Sequence, residues 1–484
     1  MTTIKLDPGA ALLLDALHGA GHAAYAVGGC VRDSLLGLAP HDWDLCTSAR
    51  PEQVMALFGE EKCIPTGLQH GTVTVKQGGR LYETTTFRTE GAYSDGRHPD
   101  AVCFVPDVRE DLARRDFTIN AMAYSAEEGL IDPFGGRDDL AAHLVRAVGE
   151  PERRFEEDAL RILRLYRFAA RFGFAIDPAT GAAARALGPH LDCVSAERIQ
   201  EELLKLLAAP RPGSYLEPAV LAVVLPELEP EKQPERFAEL CRTIDRIEPT
   251  AENMPARLAA LLCPLGEAGA RKALRKLKCS NALTDEVTAL EREAGGGAGS
   301  FLLPRSRDRW AGSSSEDRPL GWDPAAAGSR AGDGMLCNSN DRRQWRMQEV
   351  AVGAAASDTQ AVRSGCWEPQ PELVSDQTLM AKRLLGRYEL PTIKRLTALC
   401  SARHPEQTGA FAALRAEAER LTAENACCRV SQLAVNGRDL MAAGVRPGPG
   451  LRQVLNALLE AVITGQTPNE KDALLAAAAQ FSAS

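Results

Sequence analysis

Asp42 and Asp44 stand two residues apart, ten residues after Arg32 in the stretch AYAVGGCVRDSLLGLAPHDWDL. In extended chain, alternate residues share a face, so the two carboxylates converge as hard oxygen ligands of the kind Mg²⁺ prefers. Upstream, an apolar run enters Gly28-Gly29 and a helix opens at Val31-Arg32-Asp33. Glycine lets the backbone approach a ligand, a helix start favours an anion, and a guanidinium meets phosphate oxygens with a fork of donors. Gly29 and Arg32 therefore read as a phosphate cradle beside a metal pair. Either signal alone is more often a turn or a solvated loop. Their order and spacing give them weight.

A second constellation lies in EEDALRILRLYRFAARFGF (156–174). At about 100° per residue, Arg161, Arg164, Arg167 and Arg171 share an arc of roughly 120°, with Ile162, Leu165, Tyr166 and Ala169 opposite. A charged face of this kind is ordinarily solvated. A third, RRDFTINAMAY (114–124), carries Arg115 and Asp116. Glu83, in YETTTFR (82–88), is either a third acidic group near the metal site or an exposed strand residue.

The elements that hold these residues follow from periodicity. Residues 1–145 alternate a helix near 10–19 with strands at 24–27, 72–76, 81–87 and 101–105, a mixed α/β domain; Asp42 and Asp44 are expected on a further short strand. From about residue 151 the pattern is helical almost throughout, with Ser195 as a cap, so no strand is expected there. Segments 146–210 and 211–294 read as a helical neck and a helical body, and 372–484 as the rest of the body with a tail. Between them, 295–371 loses periodicity, holds Trp310, Trp322, Trp345 and Trp367, and reads as a poorly packing insertion or out-of-frame segment.

In order and spacing these motifs resemble the class II tRNA nucleotidyltransferases, the family of CCA-adding enzymes and bacterial poly(A) polymerases. The resemblance implies an α+β fold, a polymerase β-like nucleotidyltransferase head followed by an all-α neck, body and tail. It extends to IPTGLQHGTVTV (64–75), to a flexible loop at EGAYSDGRHPDAV (90–102), to a glycine hinge at DPFGGRDDL (132–140) and to SAERIQEELLKLL (195–207), where Glu197 and Arg198 read as structural support. It implies that Asp42 and Asp44 hold Mg²⁺, with Glu83 near them, and that Gly29 and Arg32 meet the triphosphate. Arg115 and Asp116 would face the nucleotide, Asp116 accepting from the ribose 2′-hydroxyl. Asp158 and Arg161 would read the base, with Arg164 and Arg167 lining the site. The neck at 146–210 would thus recognise the nucleotide base, and the body and tail at 372–484 are expected to bind tRNA.

The base-reading pair has a physical rationale. Cytosine and adenine each place an amino donor beside an unprotonated ring nitrogen; uracil and guanine present the reverse. A carboxylate beside a guanidinium pairs with the first two and opposes the others, at about 1–3 kcal/mol per unsatisfied group. The implied reaction is attack of a tRNA 3′-hydroxyl on CTP or ATP with release of pyrophosphate. A partial CC- or A-adding enzyme, a poly(A) polymerase and a non-catalytic RNA-binding module are the alternatives.

Composition bounds these expectations. The 484 residues are 45% apolar and 25% charged, enough for about three folded domains. Thirteen scattered cysteines without Cys-x-x-Cys pairs suggest reduced thiols in the cytoplasm, and no run is long and apolar enough for a membrane. The net charge of −9 excludes indiscriminate coating of nucleic acid, while RKALRKLK (271–278) and the cations of 382–403 leave room for one compact RNA such as tRNA.

Overall fold

The computed structural model describes residues 3–91, 102–295 and 376–481. Most of the loop at 90–102 and all but the first residue of the segment 295–371 lie outside the described residues.

The N-terminal part is a mixed sheet with helices. Its strands are β1 (Ala24–Val27), β2 (Leu45–Thr47), β3 (Cys63–Gly67), β4 (Thr72–Gln77), β5 (Arg80–Thr86), β6 (Arg88–Glu90), β7 (Val102–Phe104), β8 (Ala123–Ser125) and β9 (Gly129–Ile131). Seven form one sheet in the order β3-β4-β5-β2-β1-β8-β9, with β6 and β7 as a separate antiparallel pair. Only β2 and β5 run parallel within the large sheet. The helices are α1 (Pro8–Gly19), α2 (Gly29–Leu35), α3 (Pro51–Phe58), α4 (Val108–Ala113) and α5 (Gly136–Ala141). Helix α1 shows why these residues fold as they do. Asp7 accepts the Gly9 and Ala10 amides, Pro8 opens the first turn, and Ala10, Leu13, Leu14 and Leu17 bury one stripe.

The rest is helical. Helices α6 (Pro151–Glu157), α7 (Leu160–Phe172), α8 (Pro178–Ala186) and α9 (Ala196–Leu207) follow the sheet. Then come α10 (Pro218–Val224), α11 (Pro234–Arg246), α12 (Met254–Leu262), α13 (Gly266–Lys276) and α14 (Asn281–Ala294). After the segment outside the description come α15 (Asp376–Arg387), α16 (Leu390–Arg403), α17 (Thr408–Ala423), α18 (Gly437–Ala442), α19 (Pro449–Ile463) and α20 (Lys471–Phe481). One expectation fails here: two residues beyond 151 form a strand, β11 (Ala175–Ile176), parallel to β10 (Leu144–Val145). It continues the chain just after the α7 C-terminus, where Gly173 turns left-handed, and pairs back onto the link between sheet and helices. Ser195 does start α9, but its hydroxyl makes no capping bond.

One apolar core runs from the sheet through most of the helices, and a separate cluster packs α18, α19 and α20. Arg257 is fully buried and donates only to carbonyls, among them those of Leu207, Ala209 and Ile247, satisfying the ends of α9 and α11.

The glycine pair expected to be a hinge has tight local duties. Gly135 stands at φ 72° before α5, and a Cβ on Gly136 would lie 2.2 Å from the Thr118 carbonyl oxygen. Neither partner of that contact is a flexible side chain. Gly136→Ala is expected to cost about 1–3 kcal/mol, read as a Tm several degrees lower in thermal unfolding; an unchanged Tm would contradict this packing.

Candidate active site

Trp43 decides where the two aspartates point. It is buried in the core, so in the extended chain around it Asp42 and Asp44 turn together to the opposite side. They lie just ahead of β2 rather than on it, and the Asp44 carbonyl accepts from the Val27 amide at 2.9 Å. The parallel register pairs Leu45 with Thr84, so one step back Glu83 stands beside Asp44. Asp44 is exposed as a residue, yet its carboxyl is crowded. Loss of water and the charge of Glu83 push it up to about 6, with Asp42 adding to them and Arg115 pulling the other way. Asp42 leans on His41, with Nδ1 and Oδ2 3.0 Å apart.

Among the described residues no three acidic, histidine or cysteine side chains form a ready metal cage. Mg²⁺ is commonly held by one or two carboxylates with its other positions left to water and substrate phosphate. The hard-oxygen pair Asp42 and Asp44, with mutual repulsion for a cation to relieve, fits such an ion.

The glycine turn holds Arg115. Gly28 adopts φ 78°, and a Cβ there would lie 2.8 Å from Arg115 Nη1. Gly29 has ordinary space, with Arg32 Nη2 at 3.6 Å from the same constructed atom. Gly28 is thus the more constrained of the pair.

Arg32 does not offer an open fork. It is buried, donates from Nε to Asp33 Oδ1 at 2.8 Å and from Nη1 to Asn120 Oδ1, and lies over the rings of Phe168 and Phe172 at 5.2 and 4.8 Å. Burial lowers its pKa, opposed chiefly by Asp33. Asn120 passes the bond on, donating from Nδ2 to Asp116 Oδ1 at 3.0 Å. Asp116 Oδ1 also takes the Phe117 amide, and Oδ2 takes Arg164 Nε and Nη2 at 2.9 and 2.6 Å. Burial alone would raise the Asp116 carboxyl, but Arg164 and Asn120 hold it far below the usual range. Arg171 then closes the loop on Asp33, Nη2 to Oδ2 at 3.3 Å. Two arginines of α7 are therefore joined through Asp116, Asn120, Arg32 and Asp33 of the sheet domain.

The other arginines of the stripe are also held. Arg167 Nε stands 2.8 Å from Glu202 Oε2 on α9 and lies 4.2 Å over Phe168; burial brings it down to about 10, resisted by Glu202. Arg161 donates to Glu157 Oε2 at 2.7 Å and to the carbonyls of Arg154 and Arg114. The stripe is thus no solvated face. Asp158 starts α7, with Oδ1 on the Leu160 amide at 3.1 Å and Oδ2 taking Arg198 Nη2 at 2.7 Å. Asp158 and Arg161 are adjacent along the helix start but anchored by different partners.

The structure thus gathers Asp42, Asp44, Glu83 and Arg115 at one place. Arg32, Asp116, Arg164 and Arg167 form the adjoining network. Sequence reasoning singled out the Gly28-Gly29 pair but placed the ligand role on Gly29, and it missed Asn120, Glu202 and the reach of Arg198. Asn120 sits within the quoted RRDFTINAMAY motif; Glu202 had only its place on the inner side of an amphipathic helix as a signal.

Comparison with known proteins agrees with this architecture. The Poly A polymerase head domain model matches residues 24–146, the model described as 'Probable RNA and SrmB- binding site of polymerase A' matches 173–231, and the one described as 'tRNA nucleotidyltransferase domain 2 putative' matches 380–478. The CCA-adding enzyme of Limosilactobacillus fermentum is 33% identical over 472 residues, spanning 97% of this chain and 96% of its own. That of Lactobacillus helveticus is 43% identical over 277 residues, 57% of this chain and 68% of its own. Among solved structures, the Bacillus stearothermophilus CCA-adding enzyme in complex with CTP superposes with a TM-score of 0.69 at 30% identity, covering 98% of both chains. The Thermotoga maritima CCA-adding enzyme complexed with tRNA shares the fold, with a TM-score of 0.61 at 20% identity over 98% of this chain and 96% of its own. The chain belongs to the CCA-adding enzyme family of nucleotidyltransferases.

Proposed function

We propose that this chain adds C, C and A to the tRNA 3′ end from CTP and ATP, releasing pyrophosphate and using no nucleic-acid template. The observation that carries the reading is the buried network that ties the α7 arginine Arg164 to Asp116, Asn120 and Arg32 of the sheet domain, whose glycine turn also meets Arg115 beside the carboxylate site. Full-length similarity to CCA-adding enzymes supports it. In this reading the tRNA 3′-hydroxyl attacks the α-phosphorus and the bond to pyrophosphate breaks.

Asp42 and Asp44 would hold the divalent metal, Mg²⁺, with Glu83 adding negative charge beside Asp44. Such an ion, when bound, activates the hydroxyl and stabilises the leaving oxygens. Arg115, poised over Gly28 and close enough to act on Asp44, would meet the triphosphate. Arg32, already engaged, would reach it only with donors left over from Asp33 and Asn120, so its larger part is to position the turn that begins with Gly29. For Asp116 to accept from a ribose 2′-hydroxyl, one of its four present donors must give way.

Asp158 and Arg161 would present acceptor and donor to the base edge, with Arg164 and Arg167 beside them. Since phosphoryl transfer depends mostly on positioning and charge stabilisation, the anchoring of these groups is central. The described cysteines are free, and among the described residues no helix is long and apolar enough to cross a membrane; a cytoplasmic site of action accords with both.

The deciding assay supplies tRNA lacking its 3′ end, labelled CTP and ATP and Mg²⁺, and measures product length. Addition of three nucleotides is expected; one or two would indicate a partial enzyme, a long A tail a poly(A) polymerase. Asp42→Ala is expected to abolish incorporation while part of the CTP binding survives, and normal incorporation would refute the metal assignment. Arg198→Met removes the cation that fixes Asp158. It should raise KM for CTP and ATP about tenfold, the loss of one charged hydrogen bond, and let UTP compete better. Unchanged KM and unchanged rejection of UTP would contradict the anchoring.

A further inference from the structure

The two basic stretches of the helical part have opposite fates. In 382–403 all six cations are engaged within the protein. Arg383 pairs with Glu460, Arg387 with Glu293 at 3.6 Å, Lys394 with Glu419 at 2.9 Å, and Arg395 with Glu286. Lys382 donates to the Ile463 carbonyl at 3.3 Å and Arg403 to that of Ala294 at 3.0 Å. These bonds tie helices together and leave little charge for a partner.

The end of α13 is different. Arg275, Lys276 and Lys278 are exposed, and none has a hydrogen-bonded or ionic partner among the described residues. Lys272, on the same helix, is 79% exposed and only 4.0 Å from Glu227 at its nearest. Cations in a last helical turn offset the helix dipole, which would account for Arg275 and Lys276. It does not account for Lys278. That residue stands at φ 58°, its amide donating to the Arg275 carbonyl at 3.1 Å while the Cys279 amide reaches Leu274 at 3.0 Å. This is the helix-ending position where glycine is usual, because a side chain there is strained. Lysine in that place keeps a charge against the local conformational preference.

The location is also informative. The Cys279 thiol meets the Gln200 side chain, and Gln200 lies on the side of α9 away from Arg198 and Glu202, which anchor Asp158 and Arg167, so the patch stands one helix removed from them. An RNA whose 3′ end enters the candidate active site would have its next phosphates to place on nearby surface.

We propose that Arg275, Lys276 and Lys278, with Lys272 at the rim, form a phosphate-backbone contact for the acceptor arm of the tRNA. The proposal rests on the tRNA nucleotidyltransferase reading and names where that substrate is gripped. Each phosphate neutralised contributes about 0.9 to the salt slope of binding, so three contacts contribute about 3.

The test measures binding of tRNA lacking its 3′ end to the full chain across a salt series. The triple variant Arg275→Gln, Lys276→Gln, Lys278→Gln is expected to lower the slope of log K against log salt by about 2–3 and to weaken binding at least tenfold at low salt, leaving the CTP dissociation constant unchanged. Lys278→Gly is the sharper arm. It should raise Tm, since glycine relieves the left-handed backbone, yet lower the slope by about 1. A triple variant with the wild-type slope and affinity overturns the proposal. A wild-type protein that adds no nucleotide, while the variants still lose slope, fails the enzymatic reading and leaves the RNA contact standing.

Discussion

Arg161, Arg164 and Arg167, half-buried on one face of α7, cannot leave water beside one another without anions, and the exposed Arg171 continues their row. Burying a charge is affordable only when it is paired and hydrogen-bonded, and α7 finds its pairs on other elements. Arg161 uses Glu157 of α6, Arg164 uses Asp116, Arg167 uses Glu202 of α9, and Arg171 uses Asp33 of α2. The stripe therefore acts as a template for assembly. The sheet domain and the helical part meet in the one arrangement that satisfies these charges together.

The chain of bonds from Arg164 through Asp116, Asn120, Arg32 and Asp33 to Arg171 makes that arrangement a closed circuit rather than a set of separate contacts. Phe168 and Phe172 fill its inside. Their rings stack with centroids 6.3 Å apart, Arg32 lies over both, and Phe117 meets Phe168 edge-on at 5.8 Å. Cation and ring contacts of this sort weigh more when water is excluded. The consequence for the proposed chemistry is positional. Arg32 at the glycine turn and the arginines that would surround a nucleotide are placed by one network, so a disturbance at one member should be felt at the others; the carboxylate pair is set beside them by the burial of Trp43 and the strand register.

Much of this was legible in the residues, and the parts that were not share a cause. Strand β1 and the α7 stripe follow from local periodicity and appear where the pattern puts them. Asp42 and Asp44 face together as expected, but through the burial of Trp43 ahead of β2, which no period of two announces over so few residues. Strand β11 is two residues long, too short to carry a pattern of its own. The partners of the arginines come from positions such as 33, 116 and 202, far apart in the chain, so periodicity could show a charged face without showing that it was neutralised. The same limit explains 382–403, which reads as a basic stripe and proves to be a set of internal ties. Arg198 reads as structural support, and what it supports is Asp158, which its guanidinium reaches from a distant helix.

The circuit has one uncharged member, Asn120, whose amide links a cation to an anion by accepting from Arg32 and donating to Asp116. Asn120→Ala therefore interrupts the network without adding or removing a charge, and the direct measurement is CTP affinity by calorimetry alongside thermal unfolding. The account predicts a dissociation constant raised at least tenfold, as expected when a charged hydrogen bond of about 1.5–3 kcal/mol is lost, in a protein that still unfolds in one cooperative transition. Wild-type CTP affinity in that variant would contradict the claim that this network sets the nucleotide site.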